Sequence, residues 1–370
     1  MPLALTTVFA DLPDPRIETA NKLHPLTDIL VIATCAVIAG ADGWEEIAEY
    51  GRSKEPFFRR FLALPHGVPS HDTFERVFAR LDPDAFADRF GRWLAGLCES
   101  TGLVHVAVDG KSARGSAKGT FSGCLHLVGA WATQNGLILG REAVADGGHE
   151  ITAIPALLKA LNLKGALVTV GAAGCQKAIV AQIQAQGGDY LVTVKGNQQT
   201  LHRAVAAAFE KAGDAEFAGC DMSASVEGGH GRHEERYVTV IHAPEGLPSG
   251  WADVGAVVVV GRERAVAGKN ASTCHFYLTS LRATAEELGG YVRGHWGVEN
   301  GLHWCLDIAF REDANRTRDT NAGANLGVVR RVAASLLKQD KGKGSIKAKR
   351  LNAAWNHDFP GRVLQGFKAN

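Results

Sequence analysis

The sequence predicts an α/β protein in which a mixed sheet with helices carries a mostly β insertion and follows an all-helical domain. Three observations predict this. Short β-branched runs alternate with helical stretches from Val104 to about Lys211. The residues before them space their apolar side chains at helical periods instead. Between about 212 and 285 the alternation stops, and strand-like runs follow one another with turns between them.

Composition sets the bounds. A chain of 370 residues suits two or three domains, and 46% hydrophobic with 21% charged residues is ordinary for a soluble globular protein. A net charge of +1 excludes a global polycationic signature, so any nucleic-acid surface must be local. The seven cysteines are dispersed without a C-x-x-C pair, which argues against a disulfide framework or zinc site and suits a reducing cytoplasm. The apolar run Ile29–Ala41 is too short to span a bilayer and reads as a core helix, with no membrane association expected.

Residues 1–97 form the helical domain. Asp11-Leu12-Pro13-Asp14-Pro15-Arg16 is a loop, and Thr27 or Asp28 is placed to cap the apolar helix. Trp44–Tyr50, a helix opened by Ser70, and a helix from Asp82-Pro83 with Phe86, Phe90, Trp93 and Leu94 on one face complete it. Residues 98–211 hold a strand to Asp109, then Leu125–Ala132 and Leu137–Val144 joined at Asn135-Gly136, a strong hairpin signal. Helix Thr152–Leu161, strand Ala166–Val170, helix Gln176–Gln186, strand Tyr190–Val194 and helix Thr200–Lys211 follow. Three adjacent strands followed by helix–strand–helix–strand–helix match a ribonuclease-H-like layout. In the 212–285 insertion, His230-Gly231-Arg232-His233-Glu234-Glu235-Arg236 could bind metal. Strand neighbours face opposite ways, however, which favours a solvated, DNA-facing or salt-bridged strand. Residues 286–335 are helical, and 336–370 form a basic tail that reads either as solvated or as phosphate-binding.

Two stretches carry chemistry. Val104–Gly115 ends an apolar strand in Asp109-Gly110, followed by Lys111 and Arg114. A carboxylate at a strand's C-terminal end suits a metal or catalytic acid, but Asp-Gly is also the commonest hairpin turn, and both readings stand. In Ala283–Phe310, if the helix is continuous, His295, Glu299 and His303 share a face at i, i+4, i+8, with Trp296 and Trp304 on an adjacent one. Glycines 294, 297 and 301 imply close approach by something else. A zinc protease is not indicated, because no glutamate follows the first histidine.

The ordered motifs Val108-Asp109-Gly110-Lys111 with Arg114, Gly174-Cys175-Gln176, Lys195-Gly196-Asn197-Gln198, His230-Gly231-Arg232 and His295-Trp296-x-x-Glu299-Asn300-x-x-His303-Trp304-x-x-Asp307 resemble DDE transposases of bacterial insertion sequences, in the H-repeat-associated branch. Asp14-Pro15-Arg16, His24-Pro25-Leu26 and Ser70–Phe74 resemble that branch's associated helical domain. The resemblance implies a ribonuclease-H-like core with two Asp and one Glu around two Mg²⁺ ions, cutting and joining DNA at insertion-sequence ends. Asp109 matches the first Asp, and Glu299 matches the Glu, with Tyr291 and Arg293 approximating the Tyr-Arg-Glu signature. Lys111, Arg114, Lys195, Asn197, Gln198, Arg232, Tyr291, Arg293, His295, Trp296, Asn300, His303 and Trp304 are the DNA-contacting positions it implies, and a homodimer is compatible.

One position departs from the family. Where its second Asp precedes Ala-x-Gly-Cys-Gln, this chain has Gly171. Glu150, Asp146 and Asp189 are the acids that could compensate. The chain therefore reads as a transposase impaired at Gly171, or as a catalytically inactive DNA-binding relative.

Overall fold

The computed structural model describes residues 3–99, 105–113, 125–134, 136–144, 148–229, 232–266 and 269–356. Val104, Arg114, Asn135, Asp146, His230, Gly231 and 357–370 lie outside them, as do the side chains of Arg232, Glu299 and Asn300. The described strands form a nine-stranded mixed sheet of order β3-β2-β1-β4-β5-β9-β8-β7-β6. By compactness the chain divides into two units, each discontinuous in sequence: residues 1–102, 110–148 and 299–370, and residues 103–109 with 149–298.

In the first unit, α2 (Leu26–Ile38), α3 (Trp44–Ser53), α5 (His71–Arg80) and α6 (Pro83–Glu99) follow the predicted helical stretches, and α1 (Leu3–Phe9) and α4 (Glu55–Phe58) fall where the sequence named none. Helix α2 is buried over almost its whole length, as its uninterrupted apolar run requires. Its N-cap is Pro25, so neither Thr27 nor Asp28 caps it. Asp28 Oδ2 instead accepts from the Leu64 amide at 3.0 Å, holding a residue with φ of 41° in the left-handed region. Phe9, Phe86 and Phe90 pack edge-on or stacked at 5.1–6.0 Å, and Phe78 joins them. Strands β2 (Leu125–Ala132) and β3 (Leu137–Ala143) pair antiparallel as the hairpin signal predicts.

The basic C-terminal stretch is no solvated run where it is described. It folds as α12 (Thr320–Gln339) and α13 (Ile346–Trp355), with Arg330, Arg331, Lys349 and Arg350 buried. Their charges are spent inside the fold. Arg350 donates to the Val37 carbonyl at 2.9 Å, Arg330 to that of Asp42 at 3.0 Å, and Asn325 of α12 to the carbonyls of Phe78 and Leu81. Arg350 and Asn325 thus bind carbonyls at the C-terminal ends of α2 and α5, and Arg330 binds one in the loop after α2. Lys341, Lys343 and Lys347 remain exposed.

In the second unit, β1 (His105–Ala113) pairs parallel with β4 (Leu167–Val170) through its first residues, and β4 with β5 (Asp189–Val194). Helices α7 (Glu150–Lys159), α8 (Lys177–Ala185) and α9 (Gln199–Asp214) supply the crossovers. The predicted insertion contains β6 (Asp221–Gly229), which the sequence reading missed, with β7 (Arg232–His242), β8 (Ala256–Val266) and β9 (Lys269–Thr279). It is no separate layer. β9 pairs antiparallel with β5, so the inserted strands extend the central sheet. Helix α10 (Ala285–Gly297) opens with a capping box between Thr284 and Glu287 and packs Leu288 and Val292 on Val238, Val240, Val258 and Tyr277.

No helix among the described residues is long and apolar enough to cross a membrane. The described cysteines 35, 175, 220, 274 and 305 are unbridged.

Candidate active site

Of the two sequence readings of Asp109-Gly110, the hairpin turn does not hold. The strand does not end there, because β1 runs through Asp109 and Gly110 to Ala113. What ends is its pairing with β4. The last partners are Val108 and Val170, and the next residues on the two parallel strands are Asp109 and Gly171. Neighbouring strands lie about 4.8 Å apart, so Asp109, half-buried, stands beside Gly171 at the C-terminal edge of the sheet. Gly171 has φ −64° and ψ 178°, extended backbone open to any residue. A Cβ built there meets no atom within 4 Å.

The loop that follows is tied down by the 195–198 motif. Asn197 Nδ2 donates to the Ala172 carbonyl at 2.8 Å, and Gln198 Nε2 donates to the Cys175 carbonyl at 2.9 Å and to Gln176 Oε1 at 3.2 Å. Both side chains, read as DNA contacts, thus have a structural task at the same edge, while Lys195 is exposed. Asp189 cannot replace the missing acid. It pairs with Leu167 at the opposite end of β4, roughly 13 Å from Gly171 at about 3.3 Å per residue, and accepts from Ser280 Oγ at 2.8 Å. Asp146 lies outside the described residues. Glu150 opens α7.

Behind this edge runs a chain of bonds that sequence reasoning missed. His105 Nε2 lies 2.8 Å from Thr169 Oγ1, which lies 3.0 Å from His295 Nδ1. Burial pushes both imidazoles down to about 4, with each other's proximity a further cause at His105. The Thr169 hydroxyl therefore joins two neutral rings, β1 and β4 to α10. Tyr291 stands edge-on against His105 at 5.3 Å, on the flank of the α10 core. His295 and Tyr291, expected at the DNA, are engaged with the sheet. The available signal was polar residues set within apolar strand runs, His105 before Val106-Ala107-Val108 and Thr169 between Val168 and Val170.

Of the other implied contacts, Arg293 pairs with Glu227 at 2.7 Å, and Trp296 and Trp304 are exposed at 39% and 61%. The 230–236 stretch is salt-bridged where described: Arg236 pairs with Glu234, and His233 with Glu235 at 2.9 Å.

The first unit holds a second constellation. Lys111 is almost buried among carboxylates, 2.7 Å from Asp307, 3.7 Å from Asp313 and 3.9 Å from Glu312, which binds Arg331 at 2.6 Å. Burial works to raise the Glu312 pKa, but Arg331, Arg330 and Lys111 hold it below the ordinary range. His303 is pushed down to about 4 by burial and then by Lys111 and Arg331. Lys111, expected to reach DNA, is committed to these acids.

The continuous α-helix assumed for 283–310 is interrupted. Val298–His303, which contains Glu299, is π-helical, and Trp304–Ile308 (α11) resumes the α form. A π turn holds about one extra residue per turn, so the α-helical period assumed across 283–310 does not continue through it. Lys338 Nζ caps the Gly301 carbonyl there at 2.9 Å and lies over the Trp131 ring, and a Cβ at Gly301 would sit 3.0 Å from that ring, the close approach the glycine predicts. Among the described residues no three His, Cys, Asp or Glu side chains converge on a point that could hold a metal ion.

A family profile described as Transposase DDE domain matches residues 100–335. The chain belongs to the DDE transposase family. A second profile, described as DDE_Tnp_1-associated, matches residues 6–94 of this transposase-family chain. Among similar proteins, YhhI of Escherichia coli (strain K12), an H repeat-associated protein named as a transposase, is 35% identical over 366 residues, covering 96% of both chains. YncI of Escherichia coli O157:H7, also named as a transposase, is 36% identical over 369 residues, covering 98% of this chain and 94% of its own. A protein from the dhlA 3' region of Xanthobacter autotrophicus is 41% identical over 278 residues, covering 74% of this chain and 94% of its own. The nine-stranded mixed sheet with its helical N-terminal region accords with the ribonuclease-H-like fold.

Proposed function

We propose that this chain is a DNA transposase of the DDE type, acting on insertion-sequence ends, whose strand cleavage and transfer are impaired because Gly171 stands in the second-Asp position. The observation that carries this reading is the β1–β4 register, which sets Asp109 beside a residue with no side chain. Divalent ions, Mg²⁺ in this reading, bracket the attacking and leaving oxygens in such chemistry and need several anionic ligands to hold them close together. The described donors do not make up a two-ion set, since Gly171 beside Asp109 is bare backbone and, among the described residues, no three His, Cys, Asp or Glu side chains form a metal-holding group. Asp109 and Glu299 are the proposed metal-binding carboxylates, and DNA recognition is the function retained.

The same proposal divides the chain into a helical domain over 1–97, a catalytic domain over 98–211 and 286–335 interrupted by 212–285, and a basic end over 336–370. It also includes a cytoplasmic location and a homodimer. A catalytically silent DNA-binding relative is the second reading, favoured by the same bare position.

The test is nicking of a supercoiled donor plasmid carrying cognate ends, at matched DNA occupancy. The unmodified chain should cut weakly. Gly171→Asp should restore cutting, because the backbone is extended and the space open, and Gly171→Asn far less, because it supplies shape without charge. Robust cutting by the unmodified chain, abolished by Asp109→Ala, would overturn the impairment. Cutting restored by no 171 variant, with binding intact, would leave the silent relative.

A further inference from the structure

The strands β7, β8 and β9 sort their charges by face. Side chains on a strand alternate, and directly opposed residues of paired strands share a face. Val238, Val258, Val260 and Tyr277 face α10 in the core. Continuing outward on that same face come Arg236 on β7, Arg262 and Arg264 on β8, and His275 on β9, with Val260 opposite His275 and Arg236 opposite Arg262. The other face carries Glu235 opposite Glu263.

The acids on the basic face are already engaged. Glu234 is paired with Arg236, and Glu227, opposite it on β6, with Arg293 at 2.7 Å. Arg262 and Arg264 reach no carboxylate in an ion pair among the described residues, and Arg264 Nε is buried without a hydrogen-bond partner. β5 and β9 pair antiparallel up to Val194 and Phe276, which brings the exposed Lys195 beside His275. Burial lowers the His275 pKa, and Lys195 and Arg262 lower it further, so both cations converge on that ring. The Trp296 ring tilts over His275 at 6.1 Å and hydrogen-bonds Tyr277. Two positions along a strand are about 6.7 Å apart, equal to the rise along the helix axis of two nucleotides of one DNA strand at about 3.4 Å each.

We propose that Lys195, Arg262, Arg264 and His275, bordered by Trp296, form a surface that binds the phosphate backbone of DNA, independent of base sequence. This rests on the DNA-transposase reading and assigns part of its DNA contact to the extended sheet.

The test uses the full chain, a random-sequence duplex, and affinity measured against salt concentration. Each lost phosphate contact lowers the slope of log affinity against log salt by about 0.9. Arg262→Gln combined with Arg264→Gln should reduce the slope by about 1.8, and Lys195→Gln by about 0.9. Glu263→Gln on the opposite face should not reduce it. Lys195 is exposed, so its variant keeps the proposal falsifiable if the double variant fails to fold. An unchanged slope for Lys195→Gln, or for a folded double variant, overturns this surface while the unmodified chain still binds. An unmodified chain that does not bind the duplex overturns the DNA reading itself, and this surface with it.

Discussion

Replacing Thr169 by Val should cost the protein several kcal/mol without opening a cavity. The hydroxyl at 169 lies between two ring nitrogens, 2.8 Å from His105 Nε2 and 3.0 Å from His295 Nδ1. Thr169 and His105 are buried at 2% and 3% exposure, so water does not readily replace the hydroxyl. Each buried polar group left unpaired costs about 1–3 kcal/mol, and two coupled groups give about 2–4 kcal/mol in total. Thr169→Ser keeps the oxygen and should lose about 1 kcal/mol for its methyl. Urea unfolding at pH 7, with unchanged slope against denaturant, measures the difference. A Thr169→Val loss below about 0.5 kcal/mol, or a loss equal to that of Thr169→Ser, would refute the bridging role. The rings add a pH signature. Both folded-state values are depressed to about 4, so the stability they contribute is fully present above the unfolded value of about 6.5 and is lost as pH falls toward 4. In that window each histidine should contribute a decline of up to about 1.4 kcal/mol per pH unit, and a flat profile from pH 6.5 to 4 would contradict it.

Two further outcomes are expected. Glu312→Gln removes the carboxylate that pairs with buried Arg331 and lies near Lys111, and should destabilise by about 3–5 kcal/mol in guanidinium unfolding; a loss under about 1 kcal/mol would mean the cluster is solvated. Gly174→Ala drives a Cβ into Val170 Cγ1 and should cost about 1–3 kcal/mol, whereas Gly171→Ala, with nothing within 4 Å, should stay within about 0.5 kcal/mol; equal thermal shifts for the two would contradict the packing around Gly174.

The sequence by itself determined the local elements, because their signals are local. The buried run of α2, the hairpin at Gly136, and the strands ending at Val170 and Val194 arise from periodicity and turn chemistry within a few residues. The family and the missing acid were legible for the same reason, since five motifs and Gly171 stand in linear order. Tertiary structure decided everything that depends on which distant residues meet. Asp109 and Gly171 become neighbours only through the β1–β4 register, and the inserted strands become part of the central sheet only through β5 and β9. Lys111 looks like a DNA-facing cation beside Asp109 in the chain, yet Asp307, Glu312 and Asp313 claim its charge. Arg350 looks like part of a basic tail, yet the Val37 carbonyl at the end of α2 takes its donor. The π-helical segment at 298–303 interrupts the α-helical period between His295 and His303, and no composition rule reads it, because a single extra residue per turn leaves the apolar pattern nearly unchanged. A charge or a polar ring advertises its chemistry in sequence, but its partner is set by packing, since a buried charge must be paired wherever the fold brings an opposite one within reach.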